Sequence, residues 1–318
     1  INGKDLDSMR GILALPFGWA LSGLYELTDS YLLSIVLLTL VVRLLLLPAS
    51  VSQQKNSAKQ VRLNTKVNKI KQKYAGNQQK IQEETQALYQ REGFGAANMG
   101  CAPMFVQLFV MLGLYEVIYS PITYVLRFSQ EKVTALQNAL KVVVENSSKN
   151  SRGVELQILN KISATFEGVS GVSAEDVKEL VTLKDNFLIG GIDLTSKPDS
   201  SDPGLLWIIP ILAFLTAMLS SVFMYMKQRK QNPEMAKNPS MGCMTFMSPV
   251  MSLVFTFMFP AGIGVYWIIS NIFSFIQQVV LTYVYSPKKV IAQQMVDETV
   301  ARRSKENNAK RRADIEKK

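Results

Sequence analysis

Arg43 lies in the run TLVVRLLLLP (residues 39–48), with Leu40, Val41 and Val42 before it and Leu44 to Leu47 after it. A guanidinium stays charged and carries five donors but no acceptor. At a bilayer centre it costs about 2.5–3.5 kcal/mol on insertion scales. The chemistry open to it is electrostatic, the attraction of acidic or carbonyl-bearing guests. Thr39 lies four residues earlier, on the same face of a helix. Other apolar runs carry Gln107, then Thr216, Ser220 and Ser221. A further stripe of Trp267, Ser270, Asn271, Ser274 and Gln278 climbs at steps of three and four. Such stripes face a bundle interior or a water-filled cavity, because lipid cannot satisfy them. Helix-to-helix glue explains serines and threonines well. It explains a lone arginine poorly. Glu116 is the one acid in reach, yet Arg43 sits only ~8 Å from Pro48, and Glu116 ~20 Å past Pro103. Two readings stay open: Arg43 snorkels to the inner headgroups, or a hydrated groove open to the cytoplasm holds it.

The chain has no histidine, so the usual general base and commonest metal ligand are absent. No phosphate loop, serine-centred elbow or paired intramembrane carboxylates occur. Cys101 and Cys243 make a poor zinc site and read as small packing residues. Neither an enzyme nor a cofactor or metal is expected; the work is binding and membrane shaping.

The elements that must carry these residues follow from segregation. Mean hydropathy is only +0.12, although 48% of the 318 residues are hydrophobic. Five windows hold the apolar residues: 31–48, 103–126, 205–226, 244–260 and 262–285. Each approaches the ~20 residues that cross hydrocarbon as a helix. Segments 49–100, 227–240 and 286–318 carry 23 of the 35 Lys and Arg. The positive-inside rule puts them in the cytoplasm, with the N-terminus outside and the C-terminus inside.

The expected order is a lead-in over 1–30, a first span over 31–48 and a basic hairpin over 49–100. A second span (101–126), an outer segment (127–204), spans three to five (205–285) and a basic tail (286–318) follow. Residues 9–27, interrupted by Pro16, suit a helix lying on the outer leaflet. In the hairpin, Val61, Val67, Ile70 and Tyr74 suit one helix and Ile81, Leu88 and Tyr89 another. "AGN" at 75–77 divides them, and the thin stripe predicts loose packing. The outer segment reads as a small appendage of short helices, with Ser173 capping one. The tail, net basic by five, suits anionic lipid headgroups or RNA.

"TLVVRLLLLPASVSQQKNSAKQ", "ALYQREGFGAANMGCAPMFVQLFVMLGLYEVI" and "FPAGIGVYWIISNIFSFIQQVVLTY" together strongly resemble the YidC/Oxa/Alb membrane protein insertases. "FLIGGIDLTSKPD" resembles the lead-in to the third span of bacterial members. The resemblance implies an all-α membrane protein, with five transmembrane helices around a hydrophilic groove. It implies a cytoplasmic hairpin, an outer-leaflet amphipathic helix and a bacterial plasma membrane location. Arg43 matches the family's groove arginine, Thr39 the polar residue one turn before it, and Trp267 an aromatic that contacts the incoming helix. Implied partners are newly made membrane proteins and the bilayer, the ribosome and anionic lipids through the tail, and the Sec translocon as a candidate. The chain departs from the pattern at "LNTK" (63–66), at Phe109 and at Ser220, which bears on hairpin angle and groove lining. A small channel or solute transporter is the rival class, echoed faintly by "MGC" at 99–101 and 241–243. An assembly chaperone cannot be separated from an insertase at this stage.

Overall fold

The structure is a computed structural model that describes residues 3–93, 102–140, 153–199, 201, 203–231 and 239–316. Side chains are described for 11–93, 109–140, 153–199, 201, 203–230 and 245–310. Cys101, Cys243, both MGC triplets and the Gln107 side chain fall outside that set. The chain forms two compact units, Ile1–Leu45 with Val106–Phe275, and Leu46–Phe105 with Ile276–Lys318.

The first unit opens with α1 (Gly3–Thr28) and α2 (Tyr31–Leu45). Pro16 interrupts the apolar stretch 9–27, and α1 runs through it. A proline removes only its own N–H bond to the preceding turn, and the packing of α1 keeps the rest. Ala14, Leu21 and Ser22 are buried. A Cβ on Gly18 would lie 2.6 Å from Tyr124 Cδ1, so the missing side chain makes room for the Tyr124 ring. Ile12, Leu15 and Trp19 line the bare opposite face.

α5 (Ala102–Tyr119) and a single turn, α6 (Pro121–Tyr124), lead into α7 (Gln130–Ala139), α8 (Val154–Lys161) and α9 (Ala174–Phe187). Ser173 and Asp176 form a reciprocal capping box on α9. A hairpin follows, β1 (Leu188–Ile189) antiparallel to β2 (Ile192–Asp193), with Ile189 opposite Ile192. This region is not an appendage. Leu136, Ile158, Leu159, Leu180 and Leu183 share one core with Ile35, Val117, Ile118 and Ile122. The alternation of short apolar stretches hid that, because each alone resembles a surface helix.

After a 3-10 turn (Leu205–Trp207), α10 (Ile208–Gln231) packs along α11 (Pro239–Met258), and α12 (Ala261–Val284) follows. Trp207 meets Phe257 at 5.1 Å and Tyr225 meets Phe246 at 5.7 Å between ring centroids, so α10 and α11 are antiparallel. On α10, Ile211, Leu215, Leu219, Val222 and Met226 recur at steps of four and three, bare to the outside. A continuous apolar face of this kind belongs in lipid.

Among the described residues, Leu205–Lys230 and Ala261–Val284 are each long and apolar enough to cross a membrane. Tyr31–Leu45 and Leu47–Lys73 qualify only if taken together. Phe109–Tyr119 and Thr245–Met258 are shorter apolar helices. The first span was expected to end at Pro48. The helix instead stops at Leu45, and Pro48 sits in the first turn of the next helix, α3 (Leu47–Lys73), where its missing N–H is harmless.

In the second unit, α3 (Leu47–Lys73) and α4 (Gln78–Arg91) are joined by a turn in which Lys80 N donates to Asn77 Oδ1 at 3.1 Å. Leu63, Val67 and Leu88 form their small core with Ile70 and Tyr89. Leu63 was missing from the expected stripe. The tail was read only as a charged extension; it is a long helix, α13 (Pro287–Glu316), packed on α3. Arg62 grips Glu298 with Nη1 and Nη2 at 2.8 and 3.2 Å, and Lys66 pairs with Glu92.

Candidate functional site around Arg43

α2 carries Arg43 near its last turn, half-buried, and α12 carries Ser270, fully buried. Arg43 Nη2 donates to Ser270 Oγ at 2.6 Å and to the Ser270 carbonyl at 3.3 Å. The arginine was expected to lack a fixed partner. It has one, and the partner is neutral, so the positive charge is oriented without being cancelled. Ser274 Oγ donates to the same carbonyl at 2.7 Å, which brings Ser274 into the cluster. Thr39 is buried, but its hydroxyl donates to Ile35 O within its own helix at 2.7 Å. Its one hydroxyl proton is thus used within α2.

Among the described residues, the other candidates bond elsewhere. Asn271 Nδ2 donates to Ala213 O and to Thr216 Oγ1, both at 3.3 Å. Ser252 Oγ of α11 reaches that Ala213 carbonyl at 3.5 Å, which makes it a node joining α10, α11 and α12. Ser270 and Asn271 are adjacent on α12 yet serve different neighbours, because 100° of helical turn separates them. Ser220 Oγ is buried without a hydrogen-bond partner among the described residues. Trp267 stacks on Phe255 at 5.7 Å and Phe259 at 6.3 Å, inside an aromatic cluster. Gln278 falls in the second unit, where its carbonyl accepts from Thr282 Oγ1 at 2.6 Å. Ser252 and Thr256 were missed by sequence reasoning; their four-residue spacing on one helix was the available signal.

A further buried charge-bearing group lies on α8. Glu155 accepts from Thr123 N at 3.0 Å and Thr123 Oγ1 at 2.6 Å. Burial pushes its carboxyl up to about 7, although those bonds pull the other way.

Nothing in the Arg43 cluster resembles a nucleophile with its base. The cluster can attract, orient and hydrogen-bond a polar group.

The chain matches the family model described as 60Kd inner membrane protein over residues 23–289. It is 24% identical over 282 residues to Membrane protein insertase YidC 1 of Listeria monocytogenes, an alignment covering 87% of this chain and 73% of that one. Membrane protein insertase MisCA of Bacillus subtilis is 26% identical over 253 residues, 78% of this chain and 69% of the relative. Membrane protein insertase YidC of a Janthinobacterium is 27% identical over 267 residues, 84% of this chain but 36% of its own length.

Proposed function

We propose that this chain, which belongs to the 60Kd inner membrane protein family, is a membrane protein insertase that moves apolar segments of newly made proteins into the bilayer. Relatives that match most of the chain carry the name insertase. The carrying observation is Arg43, an uncancelled cation held by Ser270 between two apolar helices. Such a cation gives a short polar or acidic tail a hydrated place to rest partway across. The polar groups of the guest then cross a thinner layer of hydrocarbon. Its apolar segment gains about 25 cal/mol per Å² as it leaves water, so no nucleotide or cofactor is needed.

In this reading five helices span a bacterial plasma membrane, and the α3–α4 hairpin and α13 lie in the cytoplasm. Arg43, Ser270 and Ser274 line the groove, with Thr39, Gln107, Thr216, Ser220, Trp267, Asn271 and Gln278 as further groove residues. Arg302, Arg303, Lys305 and Lys310 of α13 dock on the ribosome or anionic lipid, and the Sec translocon is a co-worker for some substrates.

Reconstitution into liposomes with a single-span, short-tailed substrate tests the proposal. Protease-protected insertion above the level of empty liposomes is expected, with no added flux of a small solute. Flux without insertion would favour a channel and overturn it.

A further inference from the structure

Arg43 meets Ser270 only because α2 and α12 run side by side, and one short segment ties the starts of those two helices together. Tyr31 opens α2 and Ala261 opens α12; Arg43 and Ser270 lie about 18 and 14 Å further along. First-turn amides of a helix have no partner within it. Here residues 186–196 supply acceptors to both helices. Tyr31 N donates to Asn186 Oδ1 at 3.4 Å, and the Tyr31 and Phe187 rings, both buried, sit 4.1 Å apart between centroids. Ala261 N donates to Ser196 O at 2.9 Å and Gly262 N to Leu194 O at 2.8 Å.

Between the two helix ends the segment is closed on itself. Leu194 N donates to Phe187 O at 2.9 Å, across the base of the β1–β2 hairpin. Its tip, Gly190 and Gly191, has φ values of 57° and 82°, which favour glycine in this two-residue turn. Asp193 fixes the stretch that reaches α12. Its Oδ1 accepts from Thr195 N at 2.9 Å and Thr195 Oγ1 at 2.7 Å, and its Oδ2 from Ser196 Oγ at 2.9 Å.

We propose that residues 186–196 form a positioning strap: they set the spacing of α2 and α12 at the Tyr31 and Ala261 ends, hold Arg43 against Ser270, and keep that end of the pair shut. Asp193 is the positioning residue, acting through the carbonyls of Leu194 and Ser196. The consequence for insertion rests on the insertase reading; the spacing itself does not.

The test uses the full chain in proteoliposomes, with Cys101 and Cys243 replaced by serine and one cysteine introduced by Ser270→Cys. A membrane-impermeant maleimide is applied from the side bearing the 163–171 loop. In the parent, Ser270 is buried and labelling is slow. Asp193→Ala should raise the rate at least tenfold, and Thr195→Val, a gentler change, severalfold. Asp193→Asn keeps the acceptor for Thr195 and should return the rate to within about twofold of the parent. Two residues inserted between Gly190 and Gly191, beyond the closed base, should leave it unchanged.

Parental rates in both Asp193→Ala and Thr195→Val would overturn the strap, as would equal acceleration by the tip insertion, which would signal general loosening. If Asp193→Ala does not fold, Thr195→Val and the tip insertion decide between them. Insertion assayed in the Ser270 background should fall severalfold with Asp193→Ala and recover with Asp193→Asn. If the Ser270→Cys parent labels as expected but the chain that keeps Ser270 inserts nothing, the insertase reading sinks while the strap stays intact.

Discussion

Arg43 donates through one nitrogen to a neutral serine, so its charge is spent on position rather than on a carboxylate. Lysine can make one such bond, although it holds water more tightly and lacks the planar fork. Arg43→Lys should therefore keep more than about half of insertion, and Arg43→Ala should lose most for substrates with acidic tails. At 4 Å and an effective dielectric of 20, one charge contact is worth ~4 kcal/mol at most, so a graded defect is expected. One substrate carrying zero, one or two aspartates in its tail, run against each variant, measures the grading. Equal loss across the three tails would mean that Arg43 acts only by holding α2 to α12. Ser270→Ala separates these roles, since it removes the hydroxyl but keeps the carbonyl, and it should cost less than Arg43→Ala. At this scale the sequence exposed the arginine, because a charge in an aliphatic run is conspicuous. It did not expose the pairing with Ser270. Helical spacing tells which residues share a face of one helix, whereas only packing tells which neighbour that face meets. Asn271 was grouped with Ser270 by spacing and separated from it by packing.

At the scale of elements, Glu155 ties α8 to α6 through Thr123, and its carboxyl titrates near 7 instead of the ordinary 4.5. The folded state thus keeps a proton that the unfolded state has lost between about pH 4.5 and 7. Stability must fall as pH rises through that window and level off on either side, by ~3 kcal/mol at most. The apparent melting midpoint of the detergent-solubilised chain should drop between pH 5 and 7.5, and Glu155→Gln should flatten the slope. An unchanged slope in the variant would place the titration elsewhere. In the second unit, the pair of α3 and α13 behaves differently. Arg62 and Glu298 are largely solvated, and such pairs contribute ~0–1 kcal/mol. Glu298→Lys should accordingly speed amide exchange in residues 288–300 by only a few-fold, and salt should mimic the effect. Element by element, long apolar helices were legible from composition alone. The core of the 127–204 segment was not, because its apolar residues come in groups of two or three that meet only in three dimensions. Pro48 also misled: it was read as the end of the first span, but a proline is equally at home in the first turn of the helix that follows.

For the whole molecule the governing quantity is where the 35 basic residues fall. Three segments hold 23 of them, and two of these, 49–100 and 286–318, fold as the α3–α4 pair and α13 in one compact unit. Each cation costs about 2.5–3.5 kcal/mol at a bilayer centre, which is the argument for the proposed topology, with this unit on the side where it is made. The 127–204 segment carries eleven acids against nine bases. It can cross with far less opposition, since the positive-inside rule counts only Lys and Arg and weakens over long loops. Single cysteines at Ser304 and at Ser170, each in a chain lacking Cys101 and Cys243, should report opposite sides. In intact cells an impermeant maleimide should label the Ser170→Cys chain at least tenfold faster than the Ser304→Cys chain, and lysis should remove the difference. The reverse pattern would overturn the topology. It would also move the strap at residues 186–196 to the cytoplasmic face and Arg43 to the outer half of the membrane. Labelling of both positions in intact cells would mean that an even number of segments separates them, leaving four or fewer true spans. That outcome would strike first at Thr245–Met258, the apolar helix between the two positions that is too short to cross over its described residues alone.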